Sequence, residues 1–131
     1  MKSYYLDTNT LLRFLLNDIP EQADKVVDVF QQAKAGKVSL STAQIVIFEV
    51  IFILEKYYHF SKEKIIIGIE GLLASPYLEV QDRTVFQEAL EIYKAKFIDF
   101  VDCFLICKAR ENNSTLFTFD KNLSKLVSTK I

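Results

Sequence analysis

Hydrophobic residues recur along the chain with two different spacings, which predict alternating strands and helices. Short runs of β-prone residues predict four strands: Lys2–Leu6, Val38–Ser41, Tyr77–Val80 and Thr115–Phe119. Apolar residues spaced at i, i+3, i+4 and i+7 predict helices between and after them. These helices are Leu11–Leu16, Pro20–Ala33, Thr42–Tyr58, Lys62–Ala74, Val85–Tyr93, Asp99–Glu111 and Lys121–Ser128. Strands that alternate with helices predict an α/β domain with a mainly parallel central sheet.

The helix predicted over Thr42–Tyr58 is apolar on nearly every side at its centre, which is typical of a buried helix. Glu49 is the only ionisable residue between Ile45 and Leu54. A carboxylate on such a face either reaches the rim or is buried, and burial without a partner costs several kcal/mol. An ion pair with Lys or Arg and a functional site explain Glu49 equally well at this stage.

Composition restricts the class of protein. A chain of 131 residues predicts a single domain over 1–131, and only 3 Gly and 2 Pro exclude collagen-like and low-complexity sequences. Two Cys cannot form a disulfide framework, which favours a reduced, intracellular protein. The sequence shows no signal peptide, and its longest apolar run is too short for a membrane span. We therefore expect a cytoplasmic protein without a membrane segment.

Aspartates follow two of the predicted strands directly. Asp7 follows the first strand and Asp120 follows the run Thr115–Phe119. Asp in such a position is ordinarily a turn former or an N-cap. However, the carboxyl ends of neighbouring parallel strands meet at one edge of a sheet, where ligands of α/β proteins bind. The pair therefore suggests a site at that edge.

A further pair of acids lies near the start of a predicted helix. Asp99 and Asp102 are one turn apart, and a helix N-terminus favours negative charge. That explanation suits Asp99 better than Asp102, which apolar residues flank. If several such acids converged, like charge would raise at least one pKa strongly, unless a divalent cation were bound. Oxygen ligands without a His or Cys cluster fit Mg²⁺ or Mn²⁺, which typically serve phosphate chemistry and here favour phosphodiester hydrolysis.

Taken in order, these residues resemble the PIN-domain family, and within it the VapC-like toxins of type II toxin–antitoxin pairs. The residues that carry the resemblance are Leu6-Asp7-Thr8-Asn9, Glu49, Asp99-Phe100-Val101-Asp102 and Thr118-Phe119-Asp120. The resemblance spans nearly the whole chain. It implies a Rossmann-like α/β/α sandwich and a Mg²⁺- or Mn²⁺-dependent endoribonuclease. It also implies an RNA substrate, a cognate antitoxin and a homodimer.

The same resemblance assigns roles to individual residues. The family's acidic positions match Asp7, Glu49, Asp102 and Asp120. In this assignment Asp7 and Asp102 would be the main metal ligands, while Glu49 and Asp120 would orient waters or a second ion. The auxiliary residues are an extra acid and polar neighbours of the metal site, for which turn hydrogen bonding is the other explanation: Asp99, Thr8, Asn9 and Thr118.

Two other functions fit part of the pattern. A phosphatase or phosphotransfer domain related to the haloacid dehalogenases would use Asp7 as nucleophile, but it normally has a second acid where Asn9 stands. In a non-catalytic α/β protein-binding module, the acids would only cap helices. The formal net charge of −1 does not exclude RNA, because setting aside four acids of the site leaves 13 acidic against 16 basic residues.

Overall fold

The computed structural model describes the backbone of residues 1–130 and the side chains of residues 1–127. In that range the chain forms three strands and seven helices, which confirms the α/β class. The fold divides into two compact units, Met1–Arg83 and a second that begins at Thr84. The single domain expected over residues 1–131 stays a prediction. None of the helices within residues 1–130 has both the length and the apolar character needed to cross a membrane.

The first unit contains all three strands. Its elements are β1 (Lys2–Leu6), α1 (Thr8–Leu16), α2 (Pro20–Lys34), β2 (Val38–Thr42), α3 (Gln44–Lys56), α4 (Lys62–Ala74) and β3 (Leu78–Val80). The strands are parallel, as the sequence predicts, and they lie in the order β1-β2-β3. Leu6 lies opposite Thr42, and Thr42 lies opposite Val80, so the three strands end at the same level. The Thr42 hydroxyl donates a 2.9 Å hydrogen bond to the Leu6 carbonyl at this edge.

Two helices of the first unit, α2 and α4, begin where local signals predict. Pro20 is the first residue of α2, where its missing N–H leaves no helical hydrogen bond unmade. Gly36, just beyond that helix, has φ of +79°, a conformation that a side chain would disfavour. Ser61 caps α4, and its hydroxyl accepts a 3.2 Å hydrogen bond from the Lys64 N–H.

The second unit packs around aromatic rings. It contains most of α5 (Arg83–Ala95), then α6 (Phe100–Glu111) and α7 (Lys121–Lys130). Phe86 is fully buried, and its ring centroid lies 6.0 Å from that of Phe100 and 4.8 Å from that of Phe104. Since both partners lie on α6, Phe86 fixes the helix that carries Asp102.

The strand predicted at Thr115–Phe119 is wrong. Within residues 1–130 this segment joins no sheet, and its apolar rings of Phe117 and Phe119 face solvent. A strand needs a neighbouring strand for its backbone hydrogen bonds, and here a side chain competes locally: the Asp120 N–H donates to the Thr118 hydroxyl. The sheet-edge reason for expecting Asp120 beside Asp7 therefore fails.

The expectation that α3 is a buried helix is confirmed for one face only. One face, comprising Ile47, Val50, Ile51 and Leu54, lies in the core. The opposite face is open, with Ile45 72% and Phe52 54% exposed. Within Met1–Arg83, neighbouring elements cover one side of the helix, so an apolar sequence alone does not fix its burial. Glu49 lies on the open face, between these two side chains.

Candidate active site

Asp7 stands at the carboxyl end of β1 and caps α1. One carboxylate oxygen, Oδ1, accepts hydrogen bonds from the Thr10 N–H at 2.9 Å and from the Thr10 hydroxyl at 2.8 Å. These bonds lower the pKa of Asp7, because they stabilise its ionised form. The second oxygen accepts no hydrogen bond from another described side chain, and the N–H of Asp7 itself also lowers the pKa of this carboxylate. Asp7 is thus an N-cap, as its position suggests, and an exposed anion with one oxygen free to bind a cation.

The cap makes a testable contribution to stability. The folded-state pKa of Asp7 lies below 3.8, so the cap's electrostatic contribution is complete above that pH and is lost as the pH falls through the folded pKa. We expect Asp7→Ala to lower the free energy of unfolding by about 1 kcal/mol at neutral pH. The difference from the wild type should shrink below pH 3.8, as measured by urea denaturation across the pH range. A penalty that is the same at every pH would contradict a charged cap.

Glu49 is held beside this turn by a hydrogen bond over a long sequence distance. Its Oε1 accepts a hydrogen bond from the hydroxyl of Thr8, the first residue of α1. Because Thr8 directly follows Asp7, the bond draws Glu49 to the end of β1. Among the described residues Glu49 has no Lys or Arg partner, and it is exposed rather than buried. The ion-pair explanation for Glu49 is therefore wrong. Asn9, on the same turn, is exposed.

Asp120 has an equivalent capping role in the second unit. Its Oδ1 accepts a 3.0 Å hydrogen bond from the Leu123 N–H at the start of α7. Its own N–H donates to the Thr118 hydroxyl at 3.1 Å, which is the turn hydrogen bond expected as the other explanation for Thr118. As at Asp7, one carboxylate oxygen is occupied by the cap. The other makes no hydrogen bond within residues 1–127.

Asp102 is the most perturbed acid of the second unit. It lies half-buried in the first turn of α6. Burial raises the pKa of Asp102, and the negative charges of Asp99 and Asp120 raise it further. Asp99 is the N-cap of α6, as its position suggests, but its side chain makes no capping hydrogen bond to the described helix. No Lys or Arg pairs with any of these three carboxylates in the described part of the chain, so their mutual repulsion is not neutralised.

The predicted acids therefore form two groups, one in each unit. Asp7 and Glu49 lie at the end of β1, while Asp99, Asp102 and Asp120 interact electrostatically in the second unit. Convergence of all four acidic positions stays a prediction. Over the residues that the structure describes, no group of three or more His, Cys, Asp or Glu side chains is arranged to hold a metal ion.

The chemistry of these donors nevertheless fits a hard divalent cation. All are carboxylates, they are exposed or half-buried, and no basic side chain pairs with any of them in the described range. Mg²⁺ prefers oxygen ligands and keeps several waters, so it is typically bound by one or two carboxylates with access to solvent. A cation would also relieve the repulsion that raises the pKa of Asp102.

Sequence reasoning missed Thr10, which makes both hydrogen bonds to Asp7. The signal was present as Asp-x-x-Thr, since an N-cap side chain bonds to the residue three positions later. The bond from Thr8 to Glu49 had no such signal, because it joins residues 41 positions apart.

Comparison with known proteins covers both units. The family model of the PIN domain matches residues 4–127, a span that includes all four acidic positions. The chain is also 26% identical over 122 residues to a protein of Aquifex aeolicus named VapC ribonuclease. That alignment covers 92% of this chain and 90% of the relative, so it extends over nearly the full length of each.

Proposed function

The chain belongs to the PIN domain family, and we propose that it is a Mg²⁺- or Mn²⁺-dependent endoribonuclease, the toxin of a toxin–antitoxin pair. The observation that carries the proposal is the set of carboxylates without basic partners: Asp7 and Glu49 in one unit, Asp99, Asp102 and Asp120 in the other. The name of the Aquifex relative supports RNA as the substrate. RNA as substrate also favours a cytoplasmic location.

In this proposal Asp7 and Asp102 are the main metal ligands, and Glu49 and Asp120 orient water or a second ion. When bound, Mg²⁺ or Mn²⁺ neutralises the acids and stabilises negative charge on the phosphate oxygens. The chain's own contribution is to keep the carboxylates ionised and oriented. Thr10 stabilises the ionised form of Asp7, and Thr8 holds one oxygen of Glu49.

Carboxylate oxygens without a protein partner can also orient water for attack. Asp120 has one oxygen fixed by the start of α7, so its second oxygen points in a defined direction and can accept a hydrogen bond from water. Glu49 is fixed in the same way by Thr8. Water oriented by such acceptors can attack phosphorus and pass its proton to a carboxylate, while one phosphorus–oxygen bond to ribose breaks and the leaving ribose oxygen takes up a proton from solvent. Asp99 is auxiliary: its charge raises the pKa of Asp102.

Exposed apolar side chains support the proposed protein partners, a cognate antitoxin and a second copy of the chain. Ile45 and Phe52 project from α3, and Ile67, on α4, is 70% exposed. Large exposed apolar side chains are typical of protein interaction sites when they are grouped, as Ile45 and Phe52 are on one face of α3. Covering this surface would also bring a partner close to Glu49, which lies on the same open face of α3.

Metal-dependent RNA cleavage by the purified protein tests the proposed function. We expect cleavage with Mg²⁺ or Mn²⁺ and none with a chelator. Glu49→Gln should lower kcat by about 10- to 100-fold, as expected for a group that supports a metal site. Glu55→Gln is the matched control, since Glu55 is an exposed acid of the same helix, and it should leave kcat unchanged. Cleavage that persists in chelator, or that Glu49→Gln leaves unchanged, would contradict the proposal.

A further inference from the structure

Two phenylalanine rings stand in solvent immediately before Asp120. Phe117 is 88% exposed and Phe119 is 93% exposed. Their ring centroids lie 5.6 Å apart, with 56° between the ring planes. Apolar rings left in water are unfavourable, and when grouped they mark a surface that something else covers. We call Phe117 and Phe119 the aromatic pair.

We propose that the aromatic pair stacks on unpaired bases of the RNA substrate and so contributes directly to substrate binding. This inference rests on the proposed function for the identity of the ligand. Aromatic side chains stack on the faces of unpaired bases with little regard to sequence, whereas bases inside a duplex already stack on one another.

The position of the pair favours RNA as the occupant. Phe119 is bonded directly to Asp120, whose carboxylate is one of the proposed metal-site acids. Lys121 follows, and its exposed ammonium group is suited to a phosphate of the backbone. Stacking on the pair would therefore bring the sugar–phosphate chain to the acids. RNA matches all of these features at once, since its bases stack on aromatic rings, its phosphates pair with the lysine, and its phosphodiester is the bond that the acids would hydrolyse.

The ring geometry defines how bases can bind. A base inserted between two rings needs about 7 Å, twice the spacing of about 3.4 Å between stacked bases. The centroid distance of 5.6 Å and the tilt of 56° leave no room for such an inserted base. Each ring must therefore offer its outer face, which predicts contact with two separate unstacked bases.

RNA binding can be measured separately from cleavage by tryptophan fluorescence. The chain contains no Trp, so a single introduced tryptophan reports on its own position alone. Phe119→Trp keeps an aromatic face and adds the sole tryptophan, whose fluorescence a stacked base quenches. In chelator, we expect single-stranded RNA to quench this signal saturably, and duplex of the same sequence to bind at least tenfold more weakly. Equal quenching by both forms, or none by either, would overturn the proposal.

Cleavage kinetics separate stacking from apolar burial. Phe117→Leu and Phe119→Leu keep apolar area but lose the aromatic face, and each should raise KM about tenfold with kcat little changed. Phe117→Tyr should behave as the wild type. Tyr57→Leu is the matched control, an exposed aromatic in the first unit, 73% exposed. Unchanged KM in both leucine variants would overturn the proposal.

The outcomes distinguish this inference from the proposed function. If the protein cleaves RNA but both leucine variants keep the wild-type KM, the nuclease assignment stands and the stacking role is wrong. If single-stranded RNA quenches the Phe119→Trp variant but no metal supports cleavage, the stacking role stands and the nuclease assignment is wrong. If the leucine variants lose binding to a protein partner and not to RNA, the aromatic pair is a protein interface and the stacking role is overturned.

Discussion

Asp102→Asn is expected to lower RNA cleavage by at least about a hundredfold and to raise the melting temperature of the metal-free protein by a few degrees. Cleavage falls because the variant removes a proposed metal ligand. Stability rises because the charge of Asp102 is unfavourable in the fold: burial and the neighbouring Asp99 and Asp120 all raise its pKa. An uncharged amide of the same shape avoids that penalty. Residues at functional sites commonly reduce the stability of the fold in this way.

The pH dependence of this gain has a definite sign. Since the folded-state pKa of Asp102 lies above 3.8, the folded protein binds its proton more tightly than the unfolded chain does. The penalty is complete above the folded pKa and disappears as the pH falls through it towards 3.8. The difference in Tm between Asp102→Asn and the wild type should therefore be largest near neutral pH and shrink on acidification.

Asp7→Asn provides the matched control. It should lose cleavage to a similar extent, because Asp7 is the other proposed main ligand. It should not gain stability, because its pKa is lowered and the fold therefore favours the charge. Asparagine is also a good N-cap, so the variant should remain folded. Thermal denaturation and cleavage assays on both variants give the comparison; a loss of stability in Asp102→Asn would contradict unrelieved repulsion at this site.

Local signals were enough to predict most of the helices. The start of α2 at Pro20 and the cap of α4 at Ser61 depend on residues within one turn of the helix end. The capping roles of Asp7 and Asp120 are equally local, and both were expected as one explanation of these residues. A short stretch of sequence predicts helix ends and caps well, because the hydrogen bonds that form them join residues within that stretch.

The predictions that were wrong concern contacts between residues far apart in the sequence. Thr115–Phe119 has the composition of a strand, but a strand also requires a neighbouring strand. Here the Thr118 hydroxyl accepts a local hydrogen bond from the backbone instead. In α3 every position near Glu49 is apolar, yet only one face meets the core, so Ile45 and Phe52 remain exposed. The bond between Thr8 and Glu49 depends on how α1 and α3 pack. For the same reason periodicity does not predict which acids come together, and the assignment of the site residues depends on the family resemblance.

Phe86→Ala should be the most destabilising change in the second unit, lowering the free energy of unfolding by about 3–5 kcal/mol. Phe86 is fully buried, and its ring stacks on Phe100 and contacts Phe104. Alanine would therefore leave a cavity beside the buried face of α6. Val101→Ala is the control, because this side chain is 51% exposed and its loss should change stability by no more than about 0.5 kcal/mol. Urea denaturation measures both.

The same variant tests whether the core holds the acids in place. Asp102 lies between Phe100 and Phe104 on α6, so a cavity beneath these rings lets the first turn of the helix shift. Cleavage by Phe86→Ala should therefore fall even at temperatures where the variant remains folded, since small displacements of a positioned group reduce the rate steeply. Full activity in a folded but destabilised Phe86→Ala protein would mean that the position of Asp102 does not depend on this ring packing.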